Sequence, residues 1–503
     1  MEEKYLKNMR ELLEQMEQKL AERRIIRYMV GTEIVEISSE QFFRQVRTMS
    51  RQLERRGLRR KHIGIIGRNS YEWLICFCAV FWTEAVAVLL DWESDADTIS
   101  ELTKRVDLDA ILYDEASEEH VQKARLLESV QIISMSDVGK TQTHCKAKEK
   151  RSITKEITFG TELGPDDLSC IFFTSGTTSK SKAVMMSGRG MIASVCTRLN
   201  SQKFEALLAV MPFHHMAGFI TILNTLYLGA EVCIAGDLKY FYRYLKEMKP
   251  DYIFVVPSML KMLARKLKKA GPNGKFLGWN LHIISCGGAA FYPEFLQMLR
   301  DQNITVLQAY GASEAGAIGF LWEMTPDRPN TIGKPTAGLE AKIVNGELYL
   351  RSESVMVGYY KDAKETEKVL CDGWYATGDL CRTDEKGYFY LVGRRKNLII
   401  LSNGENVSPE EIETKLCNYE EIKEIMVGVE QNLITAAIYP DYQEGISEES
   451  KWKVRERIEK KIAEYNGNSP VSKQIRKVIF FEEPFAKTAV GKMIRHSVTG
   501  GEG

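Results

Sequence analysis

The chain has 503 residues, with 68 basic and 68 acidic side chains, so its formal charge is zero. At roughly 100–200 residues per domain that length implies about two to four folding units, and the even mixing of charge argues against nucleic acid and for small-molecule partners. The ten cysteines are scattered, with Cys76 and Cys78 as the nearest pair and no CxxC, which argues against a disulfide framework or a zinc site and fits a reducing compartment.

The first residues begin with acids and lack the apolar centre of a secretory signal, so the expected location is cytoplasmic. Met9, Leu12, Leu13, Met16 and Leu20 recur at helical spacing on an otherwise charged segment, which predicts a helix packed on the body. The run WLICFCAVFWTEAVAVLLD, Trp73 to Asp91, approaches the length of a membrane span, but Thr83 and Glu84 interrupt it. A buried helix followed by a buried strand is expected there, and no transmembrane segment. Up to about residue 330, short apolar runs such as KHIGIIG, DAILYDE, DYIFVVP and LHIISCGG alternate with helical patterns. The predicted fold class is α/β: a large N-terminal domain of doubly wound sheets, whose ligands gather at the carboxyl ends of the strands.

Within that alternation lies CIFFTSGTTSKSKAV, residues 170–184. A Walker A loop needs GxxxxGK[ST], and the GKT at Gly139 to Thr141 has Ser134 where the first glycine belongs. What remains is Thr174, Ser175, Gly176, Thr177, Thr178 and Lys182, which offer hydroxyls, backbone amides and an ammonium to an anion. Read alone, the stretch is equally consistent with a flexible linker. VMPFHHMAGF, CGGAA (286–290) and QAYGASEAG (308–316) follow. From about Thr331 the strands are short and punctuated by glycine, and the VNGE and DEKG turns predict a small antiparallel β unit. That unit carries DGWYATGDL (372–380). GRRKNLIILSNGENVSPEEIE (393–413) then leads into a last segment with strand and helix signals of its own, closed by KTAVGKMIR (487–495). A boundary near Lys396 divides the chain into residues 1–395 and a small mobile α+β C-terminal domain, 396–503.

The phosphate-loop candidate with the four motifs at 308–316, 372–380, 393–413 and 487–495, in that order, resembles the adenylate-forming superfamily of acyl-CoA and aryl-CoA synthetases, peptide-synthetase adenylation domains and luciferases. The resemblance covers essentially the whole chain, and its motif style is closest to bacterial fatty-acyl-CoA or acyl-carrier-protein synthetases. It implies that the hydroxyl-rich loop wraps the β- and γ-phosphates of ATP. Against the usual TSGTTGxPKG, Ser179 and Ala183 replace glycines and Ser181 replaces proline, which restricts positive backbone torsions. Gly288 and Ala289 would contact adenine and Tyr310 would stack on it, with Gly311 in the same turn. Ser313 would stand in for a phosphate-contacting threonine, and Glu314 would bind Mg²⁺ beside phosphate oxygens. Asp379 would bond both ribose hydroxyls, and Arg394 would help at the ribose or phosphate.

The same resemblance puts His215 at the mouth of the carboxylate pocket and Lys492 on the mobile domain. There its ammonium would stabilise the adenylation transition state. Lys396 would be the hinge, and Gly404 would let a pantetheine arm pass close to backbone. No aspartate occurs between Ala206 and Ala235 to pair with an α-amine, so an acid without an α-amine is expected, and the motif style, by resemblance, implies a medium- or long-chain fatty acid. The acyl acceptor is either coenzyme A or the phosphopantetheine of an acyl carrier protein. An aryl or amino acid adenylation enzyme loading a carrier protein, and an inactive nucleotide-binding relative, are the alternatives.

Overall fold

The computed structural model describes residues 6–137, 163–174, 181–197, 203–270, 279–287, 296–316, 318–325, 327–328, 331–401, 405–417, 419–430, 433–442, 447–487, 493 and 495. An eight-stranded sheet runs in the order Phe320–Glu323, Thr305–Tyr310, Ile283–Gly287, Tyr252–Val255, Ala206–Ala209, Glu231–Ile234, Arg24–Val30, Glu33–Ser38. Its interior pairings are parallel, and only the first and last strands run antiparallel to their neighbours.

The seven-stranded sheet runs Gly358–Tyr359, Lys182–Ser187, Leu168–Thr174, Val86–Leu90, His62–Ile66, Ala110–Tyr113, Gln131–Ser134. It is parallel from Leu168–Thr174 onward. Strand Leu168–Thr174 instead pairs antiparallel with Lys182–Ser187, with Thr174 opposite Lys182. The hydroxyl-rich segment therefore joins two hydrogen-bonded neighbours, unlike a Walker A loop, which opens a helix.

One hydrophobic cluster holds strand residues of both sheets together with the helices Met9–Leu20, Tyr71–Trp82 and Met216–Leu228. The expected N-terminal stripe is buried in full: Met9, Leu12, Leu13, Met16 and Leu20 are each at most 2% exposed. The apolar run after Trp73 forms a helix that ends at Trp82 and a strand that begins at Val86. The break has a physical cause: Thr83 Oγ1 donates to Ala79 O at 2.8 Å, and Glu84 takes a left-handed φ of 57° and meets Arg59. Phe77 lies 5.2 Å, ring to ring, from Phe219 on the third helix. Burying each of these rings stabilises the fold by about 1.5–3 kcal/mol. No helix among the described residues is long and apolar enough to cross a membrane.

Residues 331–394 form the expected antiparallel unit, with strands ordered Thr331–Gly333, Phe389–Arg394, Trp374–Thr383, Glu347–Arg351, Glu340–Val344. The VNGE turn is a two-residue hairpin loop in which Asn345 (φ 50°) and Gly346 (φ 79°) both take positive φ. That geometry matches the right-handed twist of the flanking strands.

Beyond Lys396, a three-stranded sheet of Ile422–Glu430, Leu433–Pro440 and Lys477–Phe480 is covered by helices Pro409–Leu416 and Glu448–Gly467. It has its own core, centred on Ile412, Ile425, Ile438 and Ile458. The smaller unit touches the body along helix Pro257–Ala270. Lys261 Nζ donates to Ile422 O at 3.1 Å, Arg265 pairs with Asp441 at 2.5 Å and Lys268 with Glu420 at 2.8 Å.

Candidate functional site

Strands Trp374–Thr383 and Phe389–Arg394 place Asp379 opposite Arg394. Gly378 precedes it at φ 72°, with its amide donating to the buried Glu347 carboxylate at 3.0 Å. Thr377 Oγ1 donates to Leu348 O at 2.8 Å and accepts from the Asp379 amide at 3.0 Å. This local bracing turns a buried carboxylate, 7% exposed, towards two donors. Arg394 Nε lies 2.8 Å from Oδ1, and the Tyr310 hydroxyl donates to Oδ2 at 2.7 Å. Burial and then the Asp379 charge push the Tyr310 hydroxyl well above its ordinary range. For Arg394, burial works against the charge but the Asp379 partner outweighs it and raises the guanidinium.

Tyr310 ends the strand Thr305–Tyr310, at its carboxyl edge, with its ring edge-on to Phe320 at 5.6 Å. Gly311 follows it, and Ser313, Glu314 and Ala315 form one turn of 3-10 helix. Gly316 closes that turn at φ 83°, and a Cβ there would come within 2.4 Å of Ser354 Cβ. The turn is fastened from outside by Met356 N donating to Glu314 O at 2.8 Å and by Ser354 Oγ donating to Ala315 O at 2.9 Å. The Glu314 carboxylate accepts from the Tyr359 hydroxyl at 3.1 Å.

Tyr359 also lies under Lys182, whose Nζ is 4.7 Å from the ring centroid and 2.8 Å from Glu365 Oε2. Burial first, then Glu314, raises the Tyr359 hydroxyl far above its normal value. Tyr375 is buried and raised in the same way, by burial and then by Glu314, Tyr359, Tyr310 and Asp379. Its surroundings thus draw the Tyr310–Asp379–Arg394 group and the Glu314–Tyr359–Lys182 group into one neighbourhood. Arg105 Nη1 donates to Ser181 O at 2.7 Å beside Lys182.

His215 caps helix Met216–Leu228, its Nδ1 accepting from the Ala217 amide at 3.3 Å. The chain before it is drawn in so tightly that a Cβ on Gly218 would meet Pro212 O at 2.1 Å. Asn69 holds this bend from the other sheet, donating to Met211 O at 2.9 Å and accepting from Phe213 N at 2.8 Å. His214 is largely covered, its side chain 10% exposed, with Nε2 3.6 Å from Asp91 Oδ1, and desolvation lowers its pKa against the pull of that carboxylate. Beside this bend a small void of about 10 Å³, room for a single water, is lined by Leu208, Val210, Gly218, Thr221, Ile222 and Phe254.

In the smaller unit, Lys396 lies in the short turn Arg395–Asn397, and Asn397 Nδ2 donates to Glu410 Oε1 at 2.5 Å. Gly393, before the turn, approaches helix Pro409–Leu416 so closely that a Cβ would come within 2.2 Å of Ser408 Oγ. Near the C-terminus Arg495 forks onto the buried Glu413, at 2.9 Å to Oε1 and 2.7 Å to Oε2. Lys487 pairs with Met493 in an antiparallel bridge.

The structure therefore brings together Lys182, Tyr310, Glu314, Asp379 and Arg394 from four separate stretches of sequence, with Thr174, Gly311 and Ser313 beside them. Ser175, Gly176, Thr177, Thr178, Gly288, Ala289, Gly404 and Lys492 lie outside the described residues. Sequence reasoning missed Tyr359, Glu365, Tyr375 and His214. Another omission is Gln308, whose Oε1 is buried without a hydrogen-bond partner among the described residues. Gln308, His214 and Tyr375 stand inside motifs already singled out, whereas Tyr359 and Glu365 carry no local signature. No cluster of three or more metal-ligating side chains occurs among the described residues. A lone Glu314 nevertheless suits a Mg²⁺ ion that takes most of its oxygens from phosphate and water.

A family model described as AMP-binding enzyme matches residues 13–360, and one described as AMP-binding enzyme C-terminal domain matches residues 396–500. The chain is 31% identical over 367 residues to 4-coumarate--CoA ligase-like 4 of Oryza sativa subsp. japonica, covering 66% of this chain and 62% of that protein, so under two thirds of that relative's length is spanned. It is 26% identical over 498 residues to fatty acyl-CoA synthetase B of Dictyostelium discoideum, covering 82% of this chain and 72% of the relative. Among solved structures, O-succinylbenzoate coenzyme A synthetase from Bacillus subtilis in complex with AMP superposes with a TM-score of 0.79 at 21% identity, over 99% of this chain and 98% of the other. The overall architecture is thus that of a known fold: a large α/β body followed by a smaller C-terminal unit.

Proposed function

The chain belongs to the AMP-binding enzyme family, and from that premise we propose that it joins a carboxylic acid to a thiol at the expense of ATP. The observation that carries this reading is the convergence of Tyr310 and Arg394 on buried Asp379, next to a Glu314–Tyr359–Lys182 chain. A carboxylate with one donor on each oxygen keeps lone pairs for a ribose diol. The orphaned Gln308 Oε1 offers an acceptor for the exocyclic amine of adenine. Lys182 and the hydroxyl-rich loop supply cations and donors to the terminal phosphates. Glu314 would hold Mg²⁺, which neutralises phosphate charge when bound.

In the first step an oxygen of the acid attacks the α-phosphorus, the bond to the bridging oxygen breaks, and pyrophosphate leaves. Lys492 is assigned to the charge that builds on the α-phosphoryl group, since an ammonium aimed there acts on the transition state more than on the ground state. In the second step the sulfur of coenzyme A or of a carrier protein's phosphopantetheine attacks the acyl carbon, its proton is released, and AMP departs. For that step the small unit turns about Lys396 and withdraws Lys492, and Gly404 then borders the thiol's path.

The acid is assigned as a medium- or long-chain fatty acid, which the motif style and the likeness to the Dictyostelium fatty acyl-CoA synthetase support. An aryl acid is the second reading, favoured by the name of the rice relative. An amino acid is disfavoured, because burying its ammonium without a counter-ion is costly. The site of action is taken to be the cytoplasm. Pyrophosphate exchange over a panel of fatty, aryl and amino acids tests the first step, followed by mass spectrometry of products with coenzyme A and a carrier protein offered separately. Exchange with amino acids alone, or none with any acid, refutes the assignment.

A further inference from the structure

The Lys182 ammonium already has an anion. Its Nζ lies 2.8 Å from Glu365 Oε2 and rests over the Tyr359 ring, while Lys368 engages the other Glu365 oxygen. Glu365 is held by its backbone. Its amide donates to the Asp362 carboxylate at 3.1 Å at the start of helix Ala363–Val369. Thr366 Oγ1 donates to Asp362 O at 2.8 Å and accepts from Tyr359 N at 2.9 Å. The carboxylate and the aromatic ring are therefore parts of one braced turn, presented to a lysine that follows the hydroxyl-rich segment from another sheet strand.

Building on the nucleotide reading above, we infer that Glu365 is a positioning residue that occupies the seat of the terminal phosphates: it holds Lys182 until ATP arrives, yields it to the β- and γ-phosphates, and takes it back as pyrophosphate leaves. The physical argument is one of exchange. A lysine with no anion would give its full attraction to any phosphate, to product as readily as to substrate. One that must leave a carboxylate gives only the difference between two anionic partners. This exchange weakens ATP and pyrophosphate binding and leaves AMP, which has no terminal phosphates, untouched. The consequence is that pyrophosphate does not linger after the first step. Tyr359 lets the same turn sense Glu314, because its hydroxyl donates to that carboxylate at 3.1 Å.

The test is calorimetric binding of ATP, pyrophosphate and AMP to the full chain and to Glu365→Gln, Lys182→Met and the double variant. Removing a half-exposed competing ion pair and its charge should tighten ATP and pyrophosphate by about 3- to 10-fold in Glu365→Gln, and AMP by less than about twofold. In the Lys182→Met background the gain from Glu365→Gln should shrink to less than about twofold, since the competition is gone. Unchanged or weaker ATP binding in Glu365→Gln, an equal gain for AMP, or a gain that persists without Lys182 overturns the inference. Wild-type protein that binds none of the three ligands instead defeats the nucleotide reading itself, and the inference with it.

Discussion

Asp379 and Arg394 face each other across neighbouring antiparallel strands, with Nε 2.8 Å from Oδ1. The Tyr310 hydroxyl holds Oδ2 at 2.7 Å, so neither oxygen is spent. An ionised carboxylate has about four lone-pair sites, and two donors leave two for a ligand. Asp379 is buried while Arg394 is partly open to solvent, so it is the carboxylate whose charge is costly to leave without its partners.

Asp379→Asn should therefore weaken ATP far more than its size suggests. The new amide loses the charge and turns a donor towards Arg394 or Tyr310. Losing charge-assisted bonds of about 1.5–3 kcal/mol corresponds to roughly 10- to 150-fold in affinity. The apparent ATP constant in pyrophosphate exchange measures it, with circular dichroism to establish folding. An unchanged ATP dependence would remove Asp379 from the site.

Lys492→Ala should lower adenylate formation by about a hundred- to a thousandfold, the usual effect of deleting one preorganised donor at a developing charge. Thioester formation from supplied acyl adenylate should stay within a few-fold of wild type. Single-turnover assays of the two steps separate them. Equal loss in both contradicts the assignment of Lys492 to the first step alone.

The Lys182 and Lys368 ammonium groups beside Glu365 hold its carboxyl far below the ordinary range, at about 2. The sign follows from linkage: a depressed folded-state value gives a contribution that is present above the unfolded value of about 4.3 and is lost as pH falls towards 2. Carboxyl NMR of the folded chain should show Glu365 ionised throughout the range near pH 4 in which exposed glutamates titrate. In Lys182→Met its midpoint should move up towards theirs. A Glu365 that titrates with its solvent-exposed counterparts in the wild type shows that the pair does not form in solution.

Gly393→Ala inserts a methyl where Ser408 Oγ would stand 2.2 Å away. Gly393 precedes the turn at Lys396 and Ser408 follows it, so the methyl forces the two sides apart. Overpacking of this kind costs about 1–3 kcal/mol, measurable by urea denaturation. Ser408→Gly in the same chain should restore the part due to that clash, at the small cost of a helix cap, while the positive φ of 159° at Gly393 and the nearby Glu410 carboxylate leave the rest. A lack of rescue means that the strain lies elsewhere.

Much of this architecture could be read beforehand because burial leaves periodic traces. The stripe from Met9 to Leu20, the helix–strand pair between Tyr71 and Leu90, and the Asn345–Gly346 hairpin turn follow from spacing and turn chemistry alone. Strand direction was less legible: Glu33–Ser38 and Phe320–Glu323 run antiparallel at the edges of an otherwise parallel sheet, and apolar content does not encode orientation. In the site, Tyr310, Glu314, Asp379 and Arg394 were visible through their motifs. Tyr359 and Glu365 were not, because a tyrosine or glutamate acquires its meaning only from what distant segments bring against it. Tyr359 looks like an ordinary strand aromatic until Lys182 and Glu314 arrive on either side.

The contact along helix Pro257–Ala270 has a mechanical side. Of its three cations, only Lys261 is buried, at 7% exposure. The Arg265–Asp441 and Lys268–Glu420 bonds are open to water and ions, and pairs of that kind contribute at most about 1 kcal/mol each. With its own core and such solvent-open bonds along this helix, the smaller unit would give up little there on parting from it, which is what the turn about Lys396 proposed above requires.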